Sequence, residues 1–169
     1  YSNKEKRFMR DSLYPGNFDP ISIGHIDIIK RATNIFDKVI VLVAKNSSKK
    51  YRNSLKDRIF MIKEAVKDIK NVYVDSDDGL TVNYAKKIGA SVLIRGIRVV
   101  GDFEYEWQLA SANEFIEPEI EIVFFMAHKK TSFISSSTIN EMYDNGVNIS
   151  ELVPASVIEV YNKKFKINK

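Results

Sequence analysis

The chain has 169 residues, 44% of them hydrophobic, and no cysteine. This size suits one domain with a substantial core, and the missing cysteine excludes a disulfide framework, a cysteine-ligated metal site and a thiol nucleophile. The 26 Lys and Arg residues exceed the 22 Asp and Glu residues, which gives a net charge of +4. That charge suits anionic ligands, although, taken alone, it is better explained by a solvated lysine-rich surface.

The apolar segments are too short to cross a bilayer. The longest runs cover residues 39–44 and 120–127, and the N-terminus has no apolar stretch of the kind found in secretory signals. We therefore expect a cytoplasmic protein with no membrane partner. The lysines near the C-terminus are weak evidence for nucleic-acid binding, so we expect no nucleic-acid partner.

The domain organisation is simple. Residues 1–8 precede Met9 and the first predicted strand, and we interpret them as a cloning remnant or an unusual extension. Residues 9–169 contain no repeat and no low-complexity linker, so we predict a single domain there.

Short apolar runs alternate with segments of helical periodicity along the whole chain. The predicted strands cover residues 10–14, 38–44, 72–74, 91–94 and 120–126. The predicted helices cover residues 26–36, 55–69, 80–88, 102–116 and 135–144, and a last one opens at Pro154. This alternation predicts an α/β fold: a doubly wound, Rossmann-like sheet of about five parallel strands flanked by helices, with a C-terminal helix.

The first strand fits this scheme poorly. It is expected to be central and apolar, yet it contains Asp11 and Ser12. Two polar residues in a buried strand need hydrogen-bond partners, and the sequence does not reveal them.

Residues suited to phosphate binding follow four of the predicted strands. In an open α/β sheet, ligands bind beyond the carboxyl ends of the strands, so these residues are expected on one rim. They are the turn at 14–25 with Gly24 and His25, the loop 45–50 with Lys49, the segment 95–98 with Arg95, and the hydroxyl-rich segment 131–138. Glycine, arginine and helix N-terminal N–H groups all bind phosphate well.

Each of these residues also has a structural alternative. His25 could simply pack near a helix start, Lys49 could face water, and the serines at 135–137 could only cap a helix. We expect Asp19 to hold its turn. The acidic residues at 102, 104 and 106 favour a helix start, and a metal triad from them is improbable at that spacing.

Several other classes of site are poorly supported. The chain has neither a GxxxxGK[ST] phosphate loop nor a GxGxxG dinucleotide motif. No cluster of carboxylates suggests a protein-built metal cage, so we predict no metal ligands. Mg²⁺, if used, would be held mainly by ligand phosphates and water.

Taken together, the motifs resemble the bacterial phosphopantetheine adenylyltransferases, in the nucleotidyltransferase superfamily with the (H/T)xGH motif. The resemblance covers about residues 14–165 and rests on YPGNFDP, SIGH, SSKK, LIRGIR, DFEYE and SFISSS, in this order. Ser22 stands where the superfamily commonly has a first histidine, which agrees with this family. The family usually has Thr or Ser at the position of Asn17, so the resemblance is weakest at that contact.

The resemblance implies adenylyl transfer from ATP to 4′-phosphopantetheine, giving dephospho-coenzyme A and pyrophosphate by direct in-line attack. It implies a catalytic role for His25, Lys49 and Arg95, and contacts with the acceptor substrate from Asn17, Lys49, Thr81 and Arg95. The residues implied to contact ATP are Asn17, Phe18, His25, Gly96, Ile97, Arg98, Glu106, Thr131, Ser132, Phe133, Ile134, Ser135, Ser136 and Ser137.

The resemblance further implies a homohexamer, and coenzyme A is a plausible feedback ligand because it shares its nucleotide with the product. Two alternatives remain open. One is a related nucleotidyltransferase with another phosphate acceptor, and the other is a nucleotide-binding protein without turnover.

Overall fold

The computed structural model describes residues 10–165, so the interpretation of residues 1–8 lies outside the described range. Five parallel strands form one sheet in the order β3-β2-β1-β4-β5. The strands are β1 (Asp11–Gly16), β2 (Lys38–Ala44), β3 (Val72–Asp77), β4 (Val92–Ile97) and β5 (Glu121–Met126). The helices are α1 (Ile23–Thr33), α2 (Leu55–Val66), α3 (Thr81–Ile88), α4 (Val100–Ile116), α5 (Ser136–Asp144) and α6 (Ala155–Lys164). The predicted fold class is confirmed.

The strand order reverses at β1. The chain runs from β1 outward through β2 to β3, and then returns to place β4 on the other side of β1. Leu13 of β1 accordingly pairs with Ile40 on one side and Leu93 on the other. The connections after β1 and β4 leave on opposite sides of the sheet, which opens a crevice at their carboxyl ends.

Both faces of the sheet are covered by hydrophobic side chains. Val39, Val41 and Val43 of β2 pack in a core cluster with residues of α1, α2, α5 and α6. Ile40 and Leu42 point to the other face, into a second cluster with residues of α3. This explains why β2 is apolar without alternation. No helix within residues 10–165 has the length and apolar content of a membrane span.

Of the two polar residues of β1, Ser12 has a hydrogen-bond partner across the sheet, whereas Asp11 has a distant ion pair and a buried Oδ1 without a partner among residues 10–165. Ser12 is fully buried, and its hydroxyl donates to the carbonyl of Lys38 at 2.9 Å. Asp11 Oδ2 lies 4.0 Å from Lys38 Nζ at the edge of the same strand pair. A buried hydroxyl that is hydrogen-bonded carries little penalty, so the central strand tolerates it.

Most helix boundaries fall close to the predicted ones. Gly89 ends α3 with a left-handed φ of 74°, as predicted for this C-cap glycine. Helix α4 begins at Val100, two residues earlier than predicted, because the Asp102 carboxylate accepts from the N–H groups of Arg98 and Val99. Pro154, predicted as the first helical residue, is instead the N-cap of α6, which begins one residue later at Ala155.

Candidate active site

A cavity opens at the carboxyl ends of β1 and β4, where the strand order reverses. Its first lobe has a volume of about 500 Å³ and is lined by the ends of β1 and β4 and by residues of α1, α3 and α4. A second lobe of about 500 Å³ adjoins it and includes the first turn of α5. The residues shared by both lobes are Asn17, Phe18, His25, Lys49, Arg95, Arg98 and Ile134.

The structure brings most of the predicted site residues together in this cavity. Thr81, Gly96, Glu106 and Thr131 line the first lobe, and the serines at 135–137 line the second. Three predicted residues lie in neither lining. Ile97 is buried, Phe133 is 57% exposed, and the Ser132 hydroxyl donates to the carbonyl of Lys129. Their contacts with ATP stay predictions.

His25 presents a neutral imidazole at the junction of the two lobes. It is the third residue of α1, and its Nδ1 accepts from the backbone N–H of the N-cap Ser22 at 3.0 Å. Burial, with a smaller contribution from Arg98, lowers its pKa to about 4. Since Nδ1 is an acceptor, the ring proton sits on Nε2 at neutral pH. His25 is therefore a neutral hydrogen-bond donor rather than a cation.

The Asn17–Phe18 turn is held in an uncommon backbone conformation beside His25. Phe18 has a positive φ of 46°, and its buried ring meets the His25 ring edge-on at 5.0 Å between centroids. Bulky residues in this region are strained, so surrounding contacts must hold them there. One such contact is the hydrogen bond from buried Arg58 to the carbonyl of Asn17 at 2.8 Å.

Among residues 10–165, the Asn17 side chain makes only one hydrogen bond, and it is long. Its Oδ1 lies 3.5 Å from the hydroxyl of Tyr51. The amide is thus weakly held at the position where the resemblance expects Thr or Ser.

Arg95 and Glu106 form a paired unit in the wall of the first lobe. The Arg95 guanidinium donates from Nε and Nη2 to the two Glu106 oxygens, both at 2.7 Å. Burial opposes the charge of Arg95, but the hydrogen bonds and charge of Glu106 outweigh it and raise the Arg95 pKa. Nη1 donates to the carbonyl of Pro15 at a longer distance of 3.4 Å and is less firmly bound.

The second lobe is bounded by the N-terminus of α5. Ser135 is the N-cap, and its hydroxyl accepts from the N–H of Thr138 at 3.0 Å. Its cap role is therefore present, and the first-turn N–H groups of Ser136 and Ser137 have no partner within the helix. Helix N-termini of this kind bind phosphate.

Lysines complete the rim opposite α5. Lys49 is exposed and lines both lobes, and its neighbour Lys50 lines the second. Within residues 10–165, Lys49 forms no ion pair. Its ammonium group is available to an anion in the cavity.

Asp19 holds the turn, as expected from the sequence. Its carboxylate accepts from the N–H of Arg52 at 2.7 Å and the N–H of Asn53 at 3.0 Å. With these donors and the Asn53 amide, the carboxylate is occupied by the fold. It is a structural group in the cavity wall.

Sequence reasoning missed the buried residues that support the cavity. Arg58 is 1% exposed and lies on the same helix face as the buried Met61 and Ile62. An arginine at an apolar position of the helical period was the available signal. Asn53, Asn140 and Tyr161 carried no such signal, because they meet only in the folded chain.

The sheet order, the histidine at the start of α1 and the α5 N-terminus beside the cavity are features of the nucleotidyltransferase class. In agreement, the family model described as cytidylyltransferase-like matches residues 13–142. A phosphopantetheine adenylyltransferase from Caldanaerobacter subterraneus subsp. tengcongensis is 49% identical over 158 residues, covering 94% of this chain and 99% of that protein. One from Dictyoglomus turgidum is 48% identical over 159 residues, with 94% and 99% coverage.

The chain therefore belongs to the phosphopantetheine adenylyltransferase family of nucleotidyltransferases.

Proposed function

We propose that this enzyme transfers the adenylyl group of ATP to 4′-phosphopantetheine, giving dephospho-coenzyme A and pyrophosphate. The relatives support this by their name. The observation that carries the proposal is the position of His25 at the junction of the two lobes, with Arg95 in one wall and the α5 N-terminus in the other. Such a cavity can hold two phosphorylated ligands on either side of one donor.

The proposed reaction is a direct in-line displacement. A phosphate oxygen of phosphopantetheine attacks the α-phosphorus of ATP, and the bond from that phosphorus to the bridging oxygen breaks. Pyrophosphate leaves with the electron pair. The nucleophile is already an anion at neutral pH, so no general base is needed, and catalysis rests on positioning and electrostatic stabilisation.

The residues take complementary roles in this proposal. The Nε2–H of His25 donates to a non-bridging oxygen of the α-phosphate as charge develops there. Arg95 and Lys49 bind the acceptor phosphate, and Thr81 at the start of α3 contacts the pantetheine arm. The first-turn N–H groups of α5 receive the β- and γ-phosphates.

The cavity residues do not offer a cage for a metal ion. Within residues 10–165, no three His, Asp or Glu side chains gather into a group that could hold one. The two carboxylates of the lining, Asp19 and Glu106, are engaged by protein donors. We infer that Mg²⁺ enters on the phosphates of ATP, which is a common mode of binding for this ion.

We further propose a homohexamer and feedback binding of coenzyme A. Helix α4 supports self-association, because Val100, Tyr105, Trp107 and Phe115 are each more than half exposed. Coenzyme A shares its adenylyl group with the product, so it can compete for the same cavity. The cytoplasmic location stays a prediction.

Pyrophosphate release tests the proposed function. We expect release from ATP, Mg²⁺ and 4′-phosphopantetheine, and none with nicotinamide mononucleotide or with glycerol phosphate and CTP. Release with only another acceptor would support a related nucleotidyltransferase. ATP binding in a calorimeter without any release would support a nucleotide-binding protein without turnover.

A further inference from the structure

The turn at residues 17–20 is held in the cavity wall at several separate points. Arg58 donates to the carbonyl of Asn17, and the Ser136 hydroxyl donates to the carbonyl of Pro20 at 2.8 Å. The Asn140 amide donates to the carbonyl of Asp19 at 3.0 Å. These contacts fix a strained turn in which Asn17 and Phe18 line both lobes and Asp19 lines the second.

Asp19 receives a second amide through its carboxylate. Asn53 Nδ2 donates to Asp19 Oδ1 at 2.7 Å, in addition to the backbone N–H groups. Asn53 lies in the loop before α2, and Asn140 lies on α5. Two side-chain amides from different elements therefore hold this one residue.

Both amides meet the hydroxyl of Tyr161, which is fully buried on α6. The hydroxyl donates to Asn140 Oδ1 at 2.6 Å and accepts from Asn53 Nδ2 at 3.2 Å. A hydroxyl has one proton to give, so its donation to Asn140 fixes which end of that amide is the oxygen. The Asn140 NH₂ group then faces the Asp19 carbonyl. In the flipped amide, Asn140 Oδ1 would face the Asp19 carbonyl oxygen, and this hydrogen bond could not form.

We propose that Tyr161 is a positioning residue for the adenylyl transfer: its hydroxyl orients Asn140 and Asn53, which hold Asp19 and thereby the Asn17–Phe18 turn. The proposal rests on the proposed function for its kinetic consequence. Tyr161 does not line either lobe of the cavity. Any effect of its hydroxyl on turnover must therefore pass through the two amides.

The structure supplies a matched control in Tyr143 of α5. Its ring meets the Tyr161 ring edge-on at 4.9 Å between centroids, and it is also buried. Its hydroxyl donates to the carbonyl of Phe165 at 2.8 Å and does not contact Asn53, Asn140 or Asp19. Tyr161→Phe and Tyr143→Phe thus each remove one buried hydroxyl from the same aromatic cluster.

The experiment compares these two variants in steady-state pyrophosphate release, well below their unfolding temperatures. We expect Tyr161→Phe to lower kcat/KM about tenfold or more, through both a lower kcat and a higher KM for ATP, because a displaced turn slows the chemical step and weakens the contacts of the turn with ATP. We expect Tyr143→Phe to stay within about twofold of the unaltered enzyme. Equal effects of the two substitutions, or full activity of Tyr161→Phe, would overturn the proposal.

Asn140→Leu gives a second test. Leucine is close to the amide in shape and adds no charge to the second lobe, which Asn140 lines, but it cannot donate to the Asp19 carbonyl. We expect a loss similar to that of Tyr161→Phe and little further loss when the two are combined, because both break one chain of contacts. Fully additive losses of activity in the double variant would show that Tyr161 and Asn140 act independently, which contradicts the proposal.

A measurement of ATP affinity distinguishes a failure of this proposal from a failure of the proposed function. If the unaltered enzyme released no pyrophosphate with phosphopantetheine, the proposed function would fail. Calorimetric titration with ATP would still report on the turn, and we expect binding several-fold weaker in Tyr161→Phe than in Tyr143→Phe. Equal ATP affinities would overturn the positioning role.

Discussion

At the scale of single residues, His25 shows how the fold converts a common side chain into a specific donor. The backbone N–H of Ser22 donates to Nδ1, and burial removes the positive charge, so Nε2–H is the one donor that the ring can offer a ligand. We predict that His25→Ala keeps the fold but lowers kcat about 10²–10³-fold, as for the loss of one transition-state donor. Circular dichroism verifies folding, and steady-state kinetics measure the rate. An unchanged kcat in the folded variant would show that His25 is only structural.

The same histidine predicts how stability depends on pH. Its pKa is about 4 in the folded chain and about 6.5 when unfolded, so the unfolded state binds the proton more readily. Stability is therefore lost as pH falls from 6.5 towards 4, by about 2 kcal/mol between pH 7 and 4.5. Urea unfolding at both values should show this loss in the unaltered chain and a smaller one in His25→Asn. An equal loss of stability in the unaltered chain and in His25→Asn would show that groups other than His25 cause it.

Arg95 has a structural partner as well as its proposed ligand. We predict that Arg95→Ala weakens phosphopantetheine binding but also lowers the free energy of unfolding by about 3 kcal/mol, because Glu106 is left buried without a partner. Arg95→Ala with Glu106→Gln should recover much of the stability but not the affinity. Calorimetry and urea unfolding measure the two effects, and recovered affinity in the double variant would refute the binding role.

At the scale of elements, α1 packs against β4 at a point where only glycine fits well. A Cβ added to Gly96 would lie 2.7 Å from Ile28 Cδ1, which is buried. We predict that Gly96→Ala destabilises the fold by about 1 kcal/mol through overpacking, at the low end of such effects because the Ile28 methyl group ends a flexible side chain. Ile28→Val removes the colliding methyl group, so the double variant should be more stable than the sum of the single effects predicts. If thermal unfolding showed that the two effects on stability are strictly additive, residues other than Ile28 would be the ones that shift to relieve the collision.

At the scale of the whole molecule, the exposed face of α4 differs from the other helices. Within the described chain, Glu106 is the only buried residue of α4, while Trp107 is 59% exposed. We predict that Trp107→Glu lowers the oligomeric state in sedimentation velocity, because a charge cannot be buried in an apolar interface. Phe60→Glu is the control, since Phe60 is 41% exposed on α2, beside the opposite half of the sheet. An unchanged assembly in the Trp107 variant would place the interface elsewhere.

Much of the fold could be predicted because its signals are local. The apolar run of β2, the helical period of α2 and the C-cap Gly89 each depend on nearby residues alone. The start of α4 was misplaced because it depends on a side chain, Asp102, reaching back to earlier N–H groups. The role of Ser12 could not be predicted because its partner lies on the neighbouring strand.

The sequence by itself determined the alternation of strands and helices, the set of candidate phosphate-binding residues after the strands and the family resemblance, since each is written in the order of residues along the chain. Only the tertiary structure decided the charge of His25, the pairing of Arg95 with Glu106 and the support of Asp19 by Tyr161. Burial and hydrogen-bond partners set those properties. Both depend on residues far apart in sequence that become neighbours when the chain folds.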